Sequence, residues 1–377
     1  MQEFDCIIIG GGLGGLTLSI QLVNKGYKVA LLEKETYPFH KVCGEYISME
    51  SWNYLINCGI KLPDLNLPRL EKLKVSAPNG NFITHQLNPG GFGISRYKLD
   101  NLLAIEAKKQ GVFLLENCKV NDVTKTTGNN YLVYSNFDTI QSKMVIGSFG
   151  KRSNLDIKLN RSFIQNKAKG LDNYIGIKYH VKANLPHNVI ELHNFKNGYC
   201  GISKIEGDRY CMCYLTTAQN LKKFDGNIKK MEENVLYKNP FLEKYFTTFE
   251  SFYEEPLAIS QINFSNKTQH EKGIIMLGDS AGSITPLCGN GMSMAMKASK
   301  ILSDLLPQYF ENEINNTQLI EKYIDLWKQN FSTRLFVGRR IQSVFGNETM
   351  TNLLINSLKP MPFLVNKLVS LTHGKPF

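Results

Sequence analysis

Three glycines, Gly10, Gly12 and Gly15, follow a short β-branched run at Asp5–Ile9 and open a segment of helical spacing, Leu13–Lys25, that stops at Gly26. A second apolar run, Lys28–Leu32, ends on Glu33, 21 residues after Gly12. Each part has a mechanical reason. Glycines let the backbone turn tightly and approach a pyrophosphate, a helix N-terminus faces that anion, and an acidic side chain takes ribose hydroxyls. A lone glycine triplet would be weak. Glycines, strand, helix and acid in that order predict a dinucleotide site built on Gly10, Gly12, Leu13, Gly14 and Gly15, with Glu33 and the adjacent Lys34.

Two further stretches carry chemistry. His40–Ser48 reads HKVCGEYIS, and its Cys43-Gly44-Glu45 has three readings: a metal or nucleophile site, the wall of a cofactor pocket, or an ordinary loop. No Cys-x-x-Cys pair or zinc spacing exists among the eight cysteines, so a metal ligand at Cys43 lacks partners. As a nucleophile it lacks a base motif, although His40 is close. Near the other end, an apolar strand at Ile274–Leu277 precedes Gly278-Asp279, and Asn290–Leu306 has helical spacing. The carboxyl end of a strand is where open α/β sheets place ligands. An aspartate cap on a strand-turn-helix is the plainer alternative.

Together these stretches resemble the FAD enzymes of the p-hydroxybenzoate hydroxylase fold, which include geranylgeranyl reductases and flavin halogenases. The resemblance implies that Asp279 bonds the ribityl chain of FAD and that Pro286, Gly289, Asn290, Gly291 and Met292 form the loop and helix start beneath the flavin ring. Arg96, in the Arg96-x-x-Leu99-Asp100 helix start, matches the family's FAD-contacting arginine. Lys41 to Glu45 is similar to a reductase stretch that packs near the flavin, which makes Lys41 a cofactor contact and favours the reductase branch. Cys43, with Cys288 approaching from the other side, is a candidate catalytic residue; small wall residues are the plainer reading of both. The implied reductant is NAD(P)H or another electron donor.

Two departures qualify the match. Phe149 stands in Gly147-Ser148-Phe149-Gly150 where the family carries an aspartate that helps bind FAD and the nicotinamide donor. The reductases' aromatic pocket motif keeps Tyr199 but has Gly201 in place of a tryptophan, so Tyr199 and Gly201 are the candidate substrate-pocket residues, with room for a different or bulkier substrate. A halogenase tryptophan motif is not found.

The rest of the chain must position these groups. Its 377 residues suffice for two domains, and 42% hydrophobic with 20% charged residues is ordinary globular composition. The net charge of +11 is dispersed, without a dense basic run, so nucleic acid is excluded as a partner. Attraction to anionic lipid or an acidic carrier protein stays open. Nothing suggests a disulfide framework, a signal peptide or a membrane-spanning helix, which predicts a cytoplasmic protein with peripheral membrane contact as the alternative.

The predicted fold class is α/β: a discontinuous Rossmann-like FAD-binding domain, an antiparallel-sheet substrate domain and a helical C-terminus. Residues 1–75, 96–155 and 270–310 are assigned to the first, 76–95 and 156–269 to the second, and 311–377 to the third. Lys72–Ala77 and Asn81–Leu87, split by Pro-Asn-Gly, read as a hairpin, and Tyr174–Thr217 alternates as a half-buried sheet. The function expected is an FAD-dependent oxidoreductase acting on a lipophilic small molecule, as a geranylgeranyl-reductase-like double-bond reductase. The alternatives are a monooxygenase of an aromatic or polyketide-like ring and a non-catalytic flavin or electron-transfer protein.

Overall fold

The computed structural model describes residues 2–165, 173–262, 264–284 and 289–377. Two sheets organise it. The first has eight strands in the order His270–Glu271, Ile274–Met276, Thr139–Gly147, Glu3–Ile9, Val29–Leu32 and Phe113–Leu115, with the Val120–Lys125 and Tyr131–Ser135 hairpin joined to Thr139–Gly147. Its central pairs are parallel. Strands buried on both faces need no polar alternation, which is why Cys6 to Ile9 and Val29 to Leu32 read as continuous apolar runs. The helices Leu13–Asn24 and Gly291–Phe310 meet on one side, where Thr17 Oγ1 lies 3.0 Å from Ser299 Oγ. Gly14 permits that approach, since a Cβ there would stand 3.1 Å from the Leu277 side chain.

The second sheet has nine strands. Glu250–Ser251, Tyr174–Lys182, Tyr210–Thr217, Gly198–Lys204, Val189–Phe195, Arg69–Ser76, Phe82–Gly93 and Tyr46–Ser48 form its path, and Leu257–Ile262 pairs with Tyr174–Lys182. The expected hairpin is present with longer arms, pairing Lys72 with Gln86 and Ser76 with Phe82. Tyr46–Ser48 and all but the last residue of Arg69–Ser76, which fall within the 1–75 assigned by sequence to the first domain, pair into this second sheet. The reason is non-local: Arg69–Ser76 runs parallel to Val189–Phe195, a partner more than a hundred residues away.

Register sets what this sheet presents. Gly176, Leu215 and Tyr199 form one cross-strand row; Lys178, Cys213 and Gly201 form the next; His180, Cys211 and Ser203 the third. Alternate residues point the other way. There Ile177, Val181, Phe195 and Tyr214 pack against Met231, Leu242 and Tyr245 from the helical segment 218–248. A polar network also lies on that side. Glu191 accepts from Tyr245 Oη at 2.6 Å and from His193 at 2.8 Å, and pairs with Lys74 at 3.3 Å; His193 Nδ1 is 2.8 Å from Ser76 Oγ.

The C-terminal region is helical as expected, in three segments: Asn316–Val344, Glu348–Leu358 and Pro362–Thr372. Tyr323 of the first donates to the Met276 carbonyl at 2.9 Å and ties it to the first sheet. Among the described residues, no helix is long and apolar enough to cross a membrane.

Candidate functional site

The glycine turn lies where the first strand ends. Gly10 has φ +106, and a Cβ there would meet the Ser148 carbonyl at 2.3 Å; a Cβ on Gly15 would meet the Gly10 carbonyl at 2.2 Å. Both are backbone neighbours that cannot swing aside. Gly12, by contrast, faces open space. The helix that begins at Leu13 has no side-chain cap and no acidic residue in its first turn, so its leading N–H groups are left for an anion. Glu33 stands beside the turn, accepting the Gly11 N–H at 2.7 Å and the Glu35 N–H at 3.0 Å. Lys34 stands away from it, with its side chain 68% exposed and paired with Glu35 at 3.5 Å. Tyr37 Oη donates to the Gly11 carbonyl at 2.5 Å; sequence reasoning did not single out either residue.

Arg96 and Lys41 converge on a buried carboxylate. Arg96 reaches Asp100 through two bonds, at 2.7 and 2.6 Å, and Lys41 Nζ lies 3.0 Å from the same group and 3.5 Å from the Gly11 carbonyl. Burial alone would raise the Asp100 carboxyl; the two cations outweigh it and hold it below the ordinary range. The helix motif thus serves first to fix its own arginine next to the glycine turn.

Glu45 is the least expected element. Its side chain is fully buried and its backbone is left-handed, at φ +55. Oε1 accepts from Lys178 Nζ at 2.5 Å and from the Arg96 N–H at 2.8 Å, while Oε2 lies 2.6 Å from His180 Nε2. An ionised carboxylate has no proton to give, so His180 donates through Nε2, leaving Nδ1 toward Tyr253 Oη at 3.3 Å. Tyr253 continues to His40 at 3.2 Å. Burial would raise the Glu45 carboxyl, but the His180 bond and the Lys178 charge hold it below its ordinary value. Burial likewise opposes charge on Lys178, and Glu45 reverses that. Glu45, His180 and Cys211 offer ligand atoms within 4.8 Å of one another. Lys178 already occupies the carboxylate, burial keeps the Cys211 thiol protonated, and a divalent cation would face the ammonium.

Cys43 is half-buried, and its Sγ approaches Sδ of Met292, from the helix start expected to bind the cofactor, at 3.7 Å. Its carbonyl accepts from Cys211 at 3.2 Å. Gly291 begins the helix behind Met292, while Gly289 turns at φ +63 against the Tyr46 ring. Asn290 turns elsewhere: its amide donates to the Thr372 carbonyl at 2.5 Å and anchors the last helix. Pro286 and Cys288 lie outside the described residues.

Asp279 sits in a short 3₁₀ turn, Gly278–Ser280. Ser280 Oγ accepts the Gly150 N–H at 2.9 Å, and Lys267 Nζ donates to the carbonyls of Lys151 and Asp279, both at 2.9 Å. Burial pulls Lys267 down to about 8, against the favourable charges of Asp279 and Asp156. Phe149 packs against the main core beside Gly147, close to this turn. Tyr199 is buried with Leu215, Ile262 and Phe264, and Gly201 lies in the row of Cys213 and Lys178. Lys178 and His180 were missed. Their signal was present: a lysine and a histidine two apart in an apolar strand share one buried face.

Residues 157–345, half of the chain, match the family model described as squalene epoxidase, and residues 8–54 match the NAD(P)-binding Rossmann-like domain. Conditioned medium factor receptor 1 of Dictyostelium discoideum is 25% identical over an alignment of 354 positions that covers 87% of this chain and 68% of the receptor. A digeranylgeranylglycerophospholipid reductase of Methanococcus vannielii is 24% identical over an alignment of 353 positions that covers 87% of this chain and 83% of that protein. Among solved structures, a geranylgeranyl bacteriochlorophyll reductase-like protein of Thermoplasma acidophilum superposes with a TM-score of 0.81 at 18% identity, covering 100% of this chain and 97% of that one. A flavin-dependent brominase superposes with a TM-score of 0.80 at 17% identity, covering 98% and 93%. At such identities the structural likenesses carry the fold alone.

Proposed function

Because the chain belongs to the squalene epoxidase-like family of FAD-dependent oxidoreductases, we propose that it reduces a double bond in a lipophilic, isoprenoid-like substrate. FAD is the family's cofactor and NAD(P)H its typical reductant. The residues present fit FAD. Gly12 is open, the helix behind it is uncapped, and Glu33 offers a carboxylate beside the turn, as a ribose and pyrophosphate require. In this reading Gly10, Leu13, Gly14 and Gly15 shape the turn, Arg96 and Lys41 border it, Asp279 takes the ribityl hydroxyls, and Gly289, Gly291 and Met292 back the ring. Bound FAD, once reduced, supplies the hydride.

The observation that carries the proposal is the junction of two environments on one sheet face. Leu215 and Tyr199 give an apolar row, and Lys178, His180 and Glu45 give a buried charged cluster directly beside it. An alkene chain lies along the half-buried Gly201 and Cys213, in the row between the two. The charged cluster ties down the loop of Cys43, since Lys178 Nζ donates to the Lys41 carbonyl and Cys211 Sγ to the Cys43 carbonyl, beside the carbon opposite the hydride. Cys43, half-buried and in contact with Met292, is the proposed group facing that carbon. The digeranylgeranylglycerophospholipid reductase relative supports this reading.

Oxygen insertion is the second reading, favoured by the squalene epoxidase match over the segment that includes most of the second sheet. One experiment separates them. Protein reduced with dithionite under argon should add two hydrogens per double bond to a geranylgeranyl lipid, read by mass spectrometry. An unchanged lipid under argon, with label incorporated from ¹⁸O₂ in air, would sink the reductase reading and favour the second.

The glycine turn has its own test. Gly15→Ala forces a Cβ onto the Gly10 carbonyl. The variant should bind FAD at least about tenfold more weakly and lose about 1–3 kcal/mol of stability. Flavin content after dialysis checks the first and urea denaturation the second; wild-type occupancy would remove Gly15 from the site.

A further inference from the structure

Lys267 is 6% exposed, yet among the described residues no carboxylate lies within ion-pair distance of its ammonium. The ammonium donates instead to two main-chain carbonyls, of Lys151 and Asp279, both at 2.9 Å, and stands 4.7 Å from the centre of the Phe163 ring. Two carbonyl dipoles and a ring face compensate a buried charge only in part. A neutral residue would cost less if stability were the only demand, so the charge calls for another reason.

The place of the two carbonyls supplies it. Gly147 pairs in parallel with Ile9 on one side and with Met276 on the other. The glycine turn, the Ser148–Arg152 loop and the Gly278–Ser280 turn therefore all leave the same end of the first sheet, the end where ligands bind. Two adjacent ties join the loop to the Gly278–Ser280 turn. Ser280 Oγ accepts the Gly150 N–H at 2.9 Å and donates to the Gly150 carbonyl at 3.2 Å. Lys267 bridges the next residue on each side. Its own segment is fixed in turn, since Arg161 donates to the Thr268 carbonyl at 2.8 Å and Gln269 to the Ala281 carbonyl at 3.1 Å.

We infer that Lys267 is a positioning residue for the cofactor: its ammonium holds the Gly150–Lys151 loop and the Asp279 turn in the arrangement that binds FAD, and FAD is held tightly only while the ammonium keeps its proton. Burial pulls this group down to about 8; Asp279 and Asp156 favour its charge, and Arg161 and Lys151 oppose it. The sign follows from linkage. A ligand carrying a pyrophosphate stabilises the ammonium, so the free protein loses the proton first and affinity falls as pH rises past about 8. The inference rests on the reading of the Asp279 turn as part of the FAD site and is independent of the reaction catalysed.

The test titrates the full-length apoprotein with FAD, followed by flavin fluorescence at pH 7 and pH 9, with circular dichroism confirming the fold at each. Wild type should bind at least about fivefold more weakly at pH 9 than at pH 7. Lys267→Arg, charged throughout, should hold its affinity within about twofold over that range. Lys267→Met should bind at least about tenfold more weakly than wild type at pH 7, with no further decline to pH 9. The Lys267→Met profile alone decides the matter should the longer arginine prevent folding. A flat wild-type profile, wild-type affinity in Lys267→Met, or the wild-type decline in either variant would overturn the inference. Asp279→Ala separates the two layers. Unchanged FAD affinity in Asp279→Ala would remove the turn from the cofactor site and the inference with it, whereas weakened binding there beside normal binding in Lys267→Met would overturn the inference alone.

Discussion

Glu45→Ala is expected to destabilise the protein by roughly 3–5 kcal/mol, measured as a drop in the urea midpoint at neutral pH with an unchanged slope. The substitution removes a buried carboxylate and leaves the Lys178 ammonium, itself 1% exposed, without its counter-charge. His180 and the Arg96 N–H lose an acceptor in the same step. The cost therefore comes from the groups left behind more than from the pair itself. Combining Glu45→Ala with Lys178→Met should recover much of the loss, because an apolar replacement of the whole pair removes the stranded charge. A double variant as unstable as the single one would refute this account and assign the cost to the left-handed backbone at Glu45 instead. The pH dependence has a definite sign. The folded Glu45 carboxyl lies below its ordinary value near 4.5, so its contribution is complete above that pH and is lost as pH falls further. A Glu45→Ala protein should lack this acid-side decline.

The second large effect is on the other side of the same sheet. Glu191→Ala should cost roughly 3 kcal/mol by urea denaturation. Glu191 is 5% exposed and joins three elements: the strand Arg69–Ser76 through Lys74 and, by way of His193, Ser76; its own strand through His193; and the helix Pro240–Thr248 through Tyr245. Lys74 keeps some access to water, which sets the loss below the upper end for a sealed pair. Burial favours a neutral His193, while Glu191 is held below the ordinary carboxylate range because bonds from His193 and Tyr245 and the Lys74 charge outweigh burial. Its stabilisation is thus present above about pH 4.5 and fades below it. The readout that isolates this cluster is FAD binding, which should survive Glu191→Ala at temperatures where the variant stays folded. Loss of FAD affinity in folded Glu191→Ala protein would mean that the helical side of the sheet is coupled to the cofactor side.

These two carboxylates also mark how far the sequence could be read. Gly10 to Gly15 with Glu33, and Ile274 with Gly278-Asp279, were legible because strand, turn and helix are close in the chain and backbone geometry there demands particular residue types. The parallel core was legible too, since strands buried on both faces show as apolar runs. Cys43-Gly44-Glu45 was visible as a motif, yet its meaning was not. Glu45 meets Lys178 across 133 residues and His180 across 135, and no local pattern encodes that encounter. The same holds for Tyr46–Ser48 and Arg69–Ser76, short strands whose sheet is chosen by distant partners. Asn290 matched a cofactor-loop motif but turned to the Thr372 carbonyl, because a helix more than 80 residues on packs against it. The sequence by itself determined which short segments could hold a dinucleotide. Only the tertiary structure decided which buried charges meet, because sheet register and long-range packing, not spacing along the chain, bring Glu45, Lys178 and His180 to one point.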